Sequence, residues 1–358
     1  MLASKLDEKY LWTAKDLDED RSWVFRMSAQ GRKELCQAVQ KAYQPGKPLL
    51  DYRRDEFPVP AALESLHAAL NEAKNGRGIA LLKGLPREEL TMSEFELMTW
   101  GLGLHSGTPR PQGKRTQYLS AVKNEGKDYR TKTGRGYSSN AELDFHTDSA
   151  DLVYLSCYNK ALSGGMSLIS SSMKAFQLIS EQRPDLAGYL LKPIAFSRQG
   201  EEAPGEGPFV VQPIFSEIDG NWFGRWNWNR VRSAQDMEGA PVITDEHREA
   251  LEHFDRIVRS PALSYHMWLE PGDLQILNSH VTLHSRTKFI DHDAPEEMRL
   301  LYRLWIAPPD SKKLPECWEA LYGSCEAGAV RGGIKGHCYG EAQREFDQRQ
   351  GQAFGMRI

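Results

Sequence analysis

The chain of 358 residues has no excess of positive charge: 45 Lys and Arg stand against 49 Asp and Glu, for a net charge of -4. That removes the broad basic field on which sequence-independent binding to nucleic acid depends. Long apolar runs are missing too. No stretch approaches the roughly 18 residues needed to span a bilayer, and the opening "MLASKLDEKYLW" lacks the cationic start and continuous apolar core of a secretory signal. The expectation is a cytoplasmic protein that binds a small molecule, with neither nucleic acid nor membrane as partner and no pattern that fixes an oligomeric state.

Cysteine is scarce. Cys36, Cys157, Cys317, Cys325 and Cys338 are odd in number and widely spaced, which suits free thiols in a reducing compartment rather than a disulfide framework. Cys317, Cys325, His337 and Cys338 match no paired CxxC spacing, so they are read as ordinary tail residues and not as a zinc site.

The length allows two domains or one large one. The first 75 residues read as helical and accessory. "SAQGRKELCQAVQKAY" follows a cap at Ser28, and "PAALESLHAALNEAKNG" opens on Pro60, carries Leu63, Leu66 and Leu70 on one face and stops at Gly76. "GIALLKGL" reads as a strand, and a helix follows from about Thr91. From Tyr118 onward short apolar runs alternate with Gly, Pro and Asn punctuation, as in "VYLSCY", "PFVVQPIF" and "RLLYRLWIA". Such runs predict antiparallel strands of a sandwich or barrel, interrupted by helices at "SMKAFQLISEQRPDLAGYL" and, after Thr244, "TDEHREALEHFDRIVRS". "SRQGEEAPGEGP" predicts a flexible loop. The fold expected is a β-dominated α+β class: a double-stranded β-helix (jelly-roll) core with flanking helices. Residues 1–75 would form a helical N-terminal extension, 76–310 the jelly-roll domain, and 311–358 a C-terminal tail packed on it.

In "LDFHTDSADLVYL" a histidine and an aspartate stand two apart inside a run that otherwise reads as a buried strand. A period of two puts His146 and Asp148 on one side of the pleat. By themselves they are equally well a buried polar pair that satisfies itself. Downstream, "GDLQILNSHVTLHSRTKF" supplies His284 in another strand-like segment. Two neutral imidazoles and one carboxylate make the facial triad that binds non-heme Fe(II) and leaves positions open. In "EEMRLLYRLWIA" the alternation sets Arg299, Leu301, Arg303 and Trp305 on one face. An arginine facing a barrel interior needs a counter-anion, and a guanidinium pairs with a carboxylate through two parallel bonds. The alternative is an edge strand with its arginines in water.

The ordered set His146-x-Asp148, "ALSGGMSLISS", "GDLQILNSHVTLHSRTKFID" and "RLLYRLW" resembles the taurine dioxygenase family of Fe(II)/2-oxoglutarate-dependent oxygenases, which includes clavaminate-synthase-like enzymes, from about Gly76 to Pro309. The resemblance implies that His146, Asp148 and His284 hold Fe(II). It implies that Ser167, where the family often has threonine, bonds 2-oxoglutarate. Arg299, fifteen residues after His284, would pair with the distal carboxylate of that cosubstrate, and Arg303 would lie near its other end or the substrate. O2 completes the reactants, with succinate and CO2 as coproducts. Asp148 stands where halogenating relatives have a small residue, which implies hydroxylation rather than halogenation, although desaturation and ring formation use the same triad. Glu142, four residues before His146, borders the substrate in related enzymes; the alternative is a solvated rim carboxylate. With Arg303 opposite, Glu142 suggests a zwitterion: a small amino acid or amino-acid-derived molecule. His280, even-spaced from His284, could face the same cavity, although the family usually has a non-ligand there. The competing functional readings are a catalytically silent jelly-roll that binds metal or a partner, and a zinc hydrolase using the same triad.

Overall fold

The two faces of one strand set the architecture. In a computed structural model that describes residues 6–126 and 138–358, the strand Leu300–Ala307 sends Leu300, Tyr302, Leu304 and Ile306 into one apolar cluster, and Leu301 and Trp305 into another. The first cluster lies between the large sheet and the helices Ala29–Ala42, Pro60–Asn75 and Met92–Leu104. The second joins Val153, Leu155 and Leu277 of the large sheet to Ile169, Tyr265 and Met267 of a smaller one, so the two sheets share a core. On the far side of the small sheet, Leu283 meets the helices Ser172–Gln182 and Asp245–Val258. The order is helices, large sheet, small sheet, helices.

The large sheet has seven strands. Val24–Arg26, Ile79–Lys83, Leu274–Asn278, Leu152–Asn159, Leu300–Ala307 and Thr108–Arg110 follow one another, and Leu119–Val122 also pairs with Leu300–Ala307. Every pairing is antiparallel except Val24–Arg26 with Ile79–Lys83, which makes the sheet mixed. The small sheet runs Tyr265–Met267, Ser167–Ser171, Thr282–Arg286.

The local signals act as their chemistry requires. Ser28 and Thr244 cap their helices, Pro60 opens the next and Gly76 closes it, and Thr91 forms a reciprocal capping box with Glu94. The N-terminal 75 residues depart from a purely helical extension, because Val24–Arg26 adds an edge strand to the large sheet. The C-terminal helix Glu341–Ala353 inserts Phe346 against Trp100 and Tyr118, and its buried Asp347 pairs with Arg110 at 2.8 Å. The motif around His146 is also not the strand that its apolar run suggests. The strand begins at Leu152, and His146 makes only isolated bridges, to His284 and to Asn227. Between them, Thr147, Ser149 and Asp151 bond Trp226, Arg225 and Arg331, and Asp148 accepts from Trp305 on the neighbouring strand Leu300–Ala307.

Candidate active site

His146 and His284 come together through their backbones. Each main-chain N–H donates to the other's carbonyl at 3.0 Å, and the rings stand 4.3 Å apart. His146 Nδ1 lies 2.9 Å from the Asp144 carbonyl, which can only accept, so Nδ1 is the nitrogen that carries a hydrogen and Nε2 is the one left to meet a metal. His284 Nε2 lies 3.8 Å from Asp148 Oδ2. Ligand atoms of His146, Asp148 and His284 all lie within 4.8 Å of one another, and among the described residues this is the one such group of three.

The electrostatics suit a cation. Burial pushes His284 down to about 3, with His146 adding to the fall, so the imidazole is neutral at any working pH. Burial alone would raise the Asp148 carboxyl, but Arg303 and then the two histidines hold it below the usual carboxylate range. Two neutral nitrogens and one carboxylate fit a divalent ion of borderline softness, such as Fe(II), and fill only part of its coordination sphere.

These side chains line a cavity of about 150 Å³, with Ser167, Arg299, Arg303 and Trp305 in the same wall. Arg299 is 6% exposed, and its Nη1 is buried without a hydrogen-bond partner. Its main-chain N–H donates to Asp291 at 2.7 Å, and its guanidinium lies over Phe289, 5.0 Å from the ring centre. Burial lowers it to about 10, still charged at neutral pH. The approach is made possible by Gly165: at φ +79° it takes a conformation that other residues avoid, and a Cβ there would sit 3.2 Å from Arg299 Nε. The cradle has a cation, a gap in its bonding and no side chain in the way, which fits a carboxylate. Ser167 donates to Gln275 at 3.1 Å, and Gln275 is fully buried.

Most of the residues expected at the site meet there, and Arg299 keeps its place although the strand starts one residue later and is bulged between Leu300 and Leu301. Glu142 does not. Its side chain is 62% exposed, pairs with Arg259 at 3.7 Å and lies outside the cavity wall. The segment before His146 is not a regular strand, so even spacing does not carry the inward direction back four residues. The carboxylate of that segment in the wall is Asp144, bonded to Arg232 at 2.9 Å and Arg259 at 2.7 Å. His280 turns away to Asp151, at 2.8 Å.

Gln199 and Glu201 were not foreseen in the wall. The loop "SRQGEEAPGEGP" delivers the buried Gln199 and Glu201, the latter paired with Arg230 at 2.7 Å. Arg230 sits on a short helix, Trp228–Ala234, and Asn227 and Asn229 line the cavity with it. Composition hid the loop, since its Gly, Pro and Glu content is that of a solvated turn.

Known proteins match this arrangement along most of its length. The chain is 27% identical to the FR-33289 synthase of Streptomyces rubellomurinus, over 88% of this chain and 94% of the relative. It is 23% identical to the taurine hydroxylase-like protein SAT17 of Stachybotrys chartarum, over 87% and 84%. A crystal structure of asparagine oxygenase with Fe(II), 2S,3S-3-hydroxyasparagine and succinate superposes with a TM-score of 0.58 at 18% identity, covering 79% of this chain and 93% of that one. The non-heme iron oxygenase OrfP with Fe and alpha-ketoglutaric acid gives 0.57 at 13%, covering 79% and 94%. The family model for the taurine catabolism dioxygenases TauD and TfdA matches residues 42–305, most of the chain, and the protein therefore belongs to the TauD/TfdA family, as an Fe(II)- and 2-oxoglutarate-dependent oxygenase.

Proposed function

We propose that the protein hydroxylates an unactivated C–H bond of a small amino acid or amino-acid-derived molecule, releasing succinate and CO2. In this reading His146, Asp148 and His284 hold Fe(II), Arg299 pairs with the distal carboxylate of 2-oxoglutarate, and Ser167 bonds the cosubstrate from the adjoining strand. The observation that carries it is the buried, unpartnered Nη1 of Arg299 in the same cavity wall as the three ligands. A buried cation with an unmet donor is costly, and a dicarboxylic acid anchored there would reach toward the metal with its oxo-acid end.

When bound, Fe(II) with 2-oxoglutarate and O2 supplies an oxidant able to attack an unactivated C–H bond. The protein's share is positional. His146 Nδ1 is tied to a backbone carbonyl and His284 is fixed in a ladder, so both donors face the cavity with little freedom to lose. Leu143, Leu155, Leu269 and Leu301 supply an apolar lining that keeps water low around the reacting carbon. The shared core between the two sheets supports the jelly-roll description, and both sheets contribute residues to the cavity wall.

The substrate class rests on a wall that carries charge of both signs in pairs, Arg230 with Glu201, Arg303 with Asp148, and Asp144 with Arg232 and Arg259. An amino-acid head group matches both signs, whereas a simple aryl acid matches only one. Neighbouring structures add support, since those oxygenases were crystallised with 3-hydroxyasparagine and with (3S)-hydroxy-L-Arg. The test is 2-oxoglutarate decarboxylation stimulated by a panel of amino acids, sulfonates and aryloxy acids. Strongest stimulation by an amine-bearing zwitterion is expected; strongest stimulation by a sulfonate or an aryloxy acid overturns the substrate class.

A further inference from the structure

Asp148 is held from two sides. The indole N–H of Trp305 donates to Oδ2 at 2.9 Å, and Arg303 Nη1 lies 3.3 Å from Oδ1. Arg303 is itself fixed, because its Nε donates to Gln112 Oε1 at 2.8 Å and its guanidinium lies 4.8 Å from the centre of the Trp305 ring. Gln112 is fully buried, and its amide nitrogen donates to the carbonyls of Tyr118 at 2.8 Å and Arg303 at 3.0 Å. Both amide donors are thus committed to carbonyls, which leaves the amide oxygen to face Arg303 and settles its orientation.

We propose that Trp305 and Gln112 are positioning residues for the metal-binding carboxylate, Trp305 directly and Gln112 through Arg303. The proposal rests on the reading of Asp148 as a metal ligand. A carboxylate alone in a cavity turns freely and offers about four lone-pair sites. A donor already bonded to one oxygen fixes the plane of the group before any metal arrives, so the ordering cost falls on folding rather than on binding. Indole is suited to this task. It donates one hydrogen, accepts none, carries no charge that would cancel the one the metal needs, and has no lone pair with which to compete as a ligand. Arg303 does carry a charge, but its contacts are longer and shared between the two oxygens, 3.3 Å to Oδ1 and 3.5 Å to Oδ2, with Gln112 holding the other side of the guanidinium.

The strand accounts for the geometry. Arg303 and Trp305 are two apart on the inward face of Leu300–Ala307, and Trp305 pairs with Arg110, two residues before Gln112. One sheet therefore delivers both the direct holder of Asp148 and the residue that holds the second.

The metal-free protein is titrated with Mn(II), and free ion is read by electron paramagnetic resonance, for wild type, Trp305→Phe, Gln112→Leu and Asp148→Ala. Trp305→Phe keeps an aromatic ring beside Arg303 while removing the donor together with part of the buried ring. Its affinity is expected to fall roughly tenfold to a hundredfold, with a lower melting temperature but a still cooperative unfolding transition of the metal-free protein, and Gln112→Leu is expected to weaken binding by a smaller factor. Unchanged affinity in both variants, with binding lost in Asp148→Ala, overturns the positioning role and leaves the triad in place. Unchanged affinity in Asp148→Ala overturns the triad reading as well. A second measurement needs no variant: of the nine indole N–H signals of the wild type, one is expected to shift when Zn(II) is added, and nine unmoved signals overturn the proposal.

Discussion

The main chains of His146 and His284 exchange two hydrogen bonds of 3.0 Å, and this pairing sets the imidazoles 4.3 Å apart on one side of the backbone. In an antiparallel pair, residues that exchange both bonds lie directly opposite. The two nitrogen donors are therefore spaced by this one backbone pairing and not by flexible side chains. Asp148, two residues on, adds the charge.

Asp148→Ala leaves a 2+ ion served by two neutral imidazoles. Turnover is expected to vanish and metal affinity to fall steeply, while the His146–His284 pairing persists. Succinate formation near the wild-type rate contradicts the assignment.

In the proposed reading, Arg299→Ala removes a charge-assisted, two-bond contact with the cosubstrate worth about 1.5–3 kcal/mol or more. The KM for 2-oxoglutarate should rise by roughly tenfold to a hundredfold, with the affinity of the metal-free protein for Mn(II) unchanged. A KM left where it was would move the anchoring role to another cation of the wall, Arg303 first.

Gly165→Ala probes the same contact from outside it. A methyl group there crowds Arg299 at 3.2 Å and strains a backbone at φ +79°. The expected result is a raised KM for 2-oxoglutarate with a smaller effect on metal binding. A loss confined to metal affinity speaks against the cradle.

The arginine spacing was legible because it follows from the rigid period of a strand. Leu300, Tyr302, Leu304 and Ile306 do face the helices, and Leu301, Arg303 and Trp305 do face the cavity, since a strand alternates whatever surrounds it. His146 and Asp148 were placed correctly in space by a partly wrong argument: they meet His284 through one isolated bridge and a turn, not along a continuous strand. The same error put Glu142 inside. Gln199 and Glu201 were invisible because their burial comes from contacts across the fold, such as Glu201 with Arg230, which no local pattern encodes.

The metal-free protein should lose stability in acid through His284. Burial, with His146 and only partly offset by Asp148, holds its folded value at about 3, against about 6.5 in an unfolded chain. Between those values the unfolded state binds a proton that the folded state does not, so stability rises with pH up to about 6.5 and its contribution is lost as the pH falls below that. Urea midpoints of wild type and His284→Gln, compared at about pH 5 and pH 7, check this. The wild type should show the larger drop in acid; an equal drop in both assigns the acid sensitivity elsewhere.

The most direct test of the central claim, that this triad and Arg299 together hold iron and its cosubstrate, is a visible spectrum taken without oxygen as Fe(II) and then 2-oxoglutarate are added. The wild type should develop the weak charge-transfer band of an iron chelated by an oxo acid, Asp148→Ala should show none, and Arg299→Ala should need far more 2-oxoglutarate to reach it. A wild-type protein that gives no band, or three proteins that give the same band at the same concentration, would contradict the account.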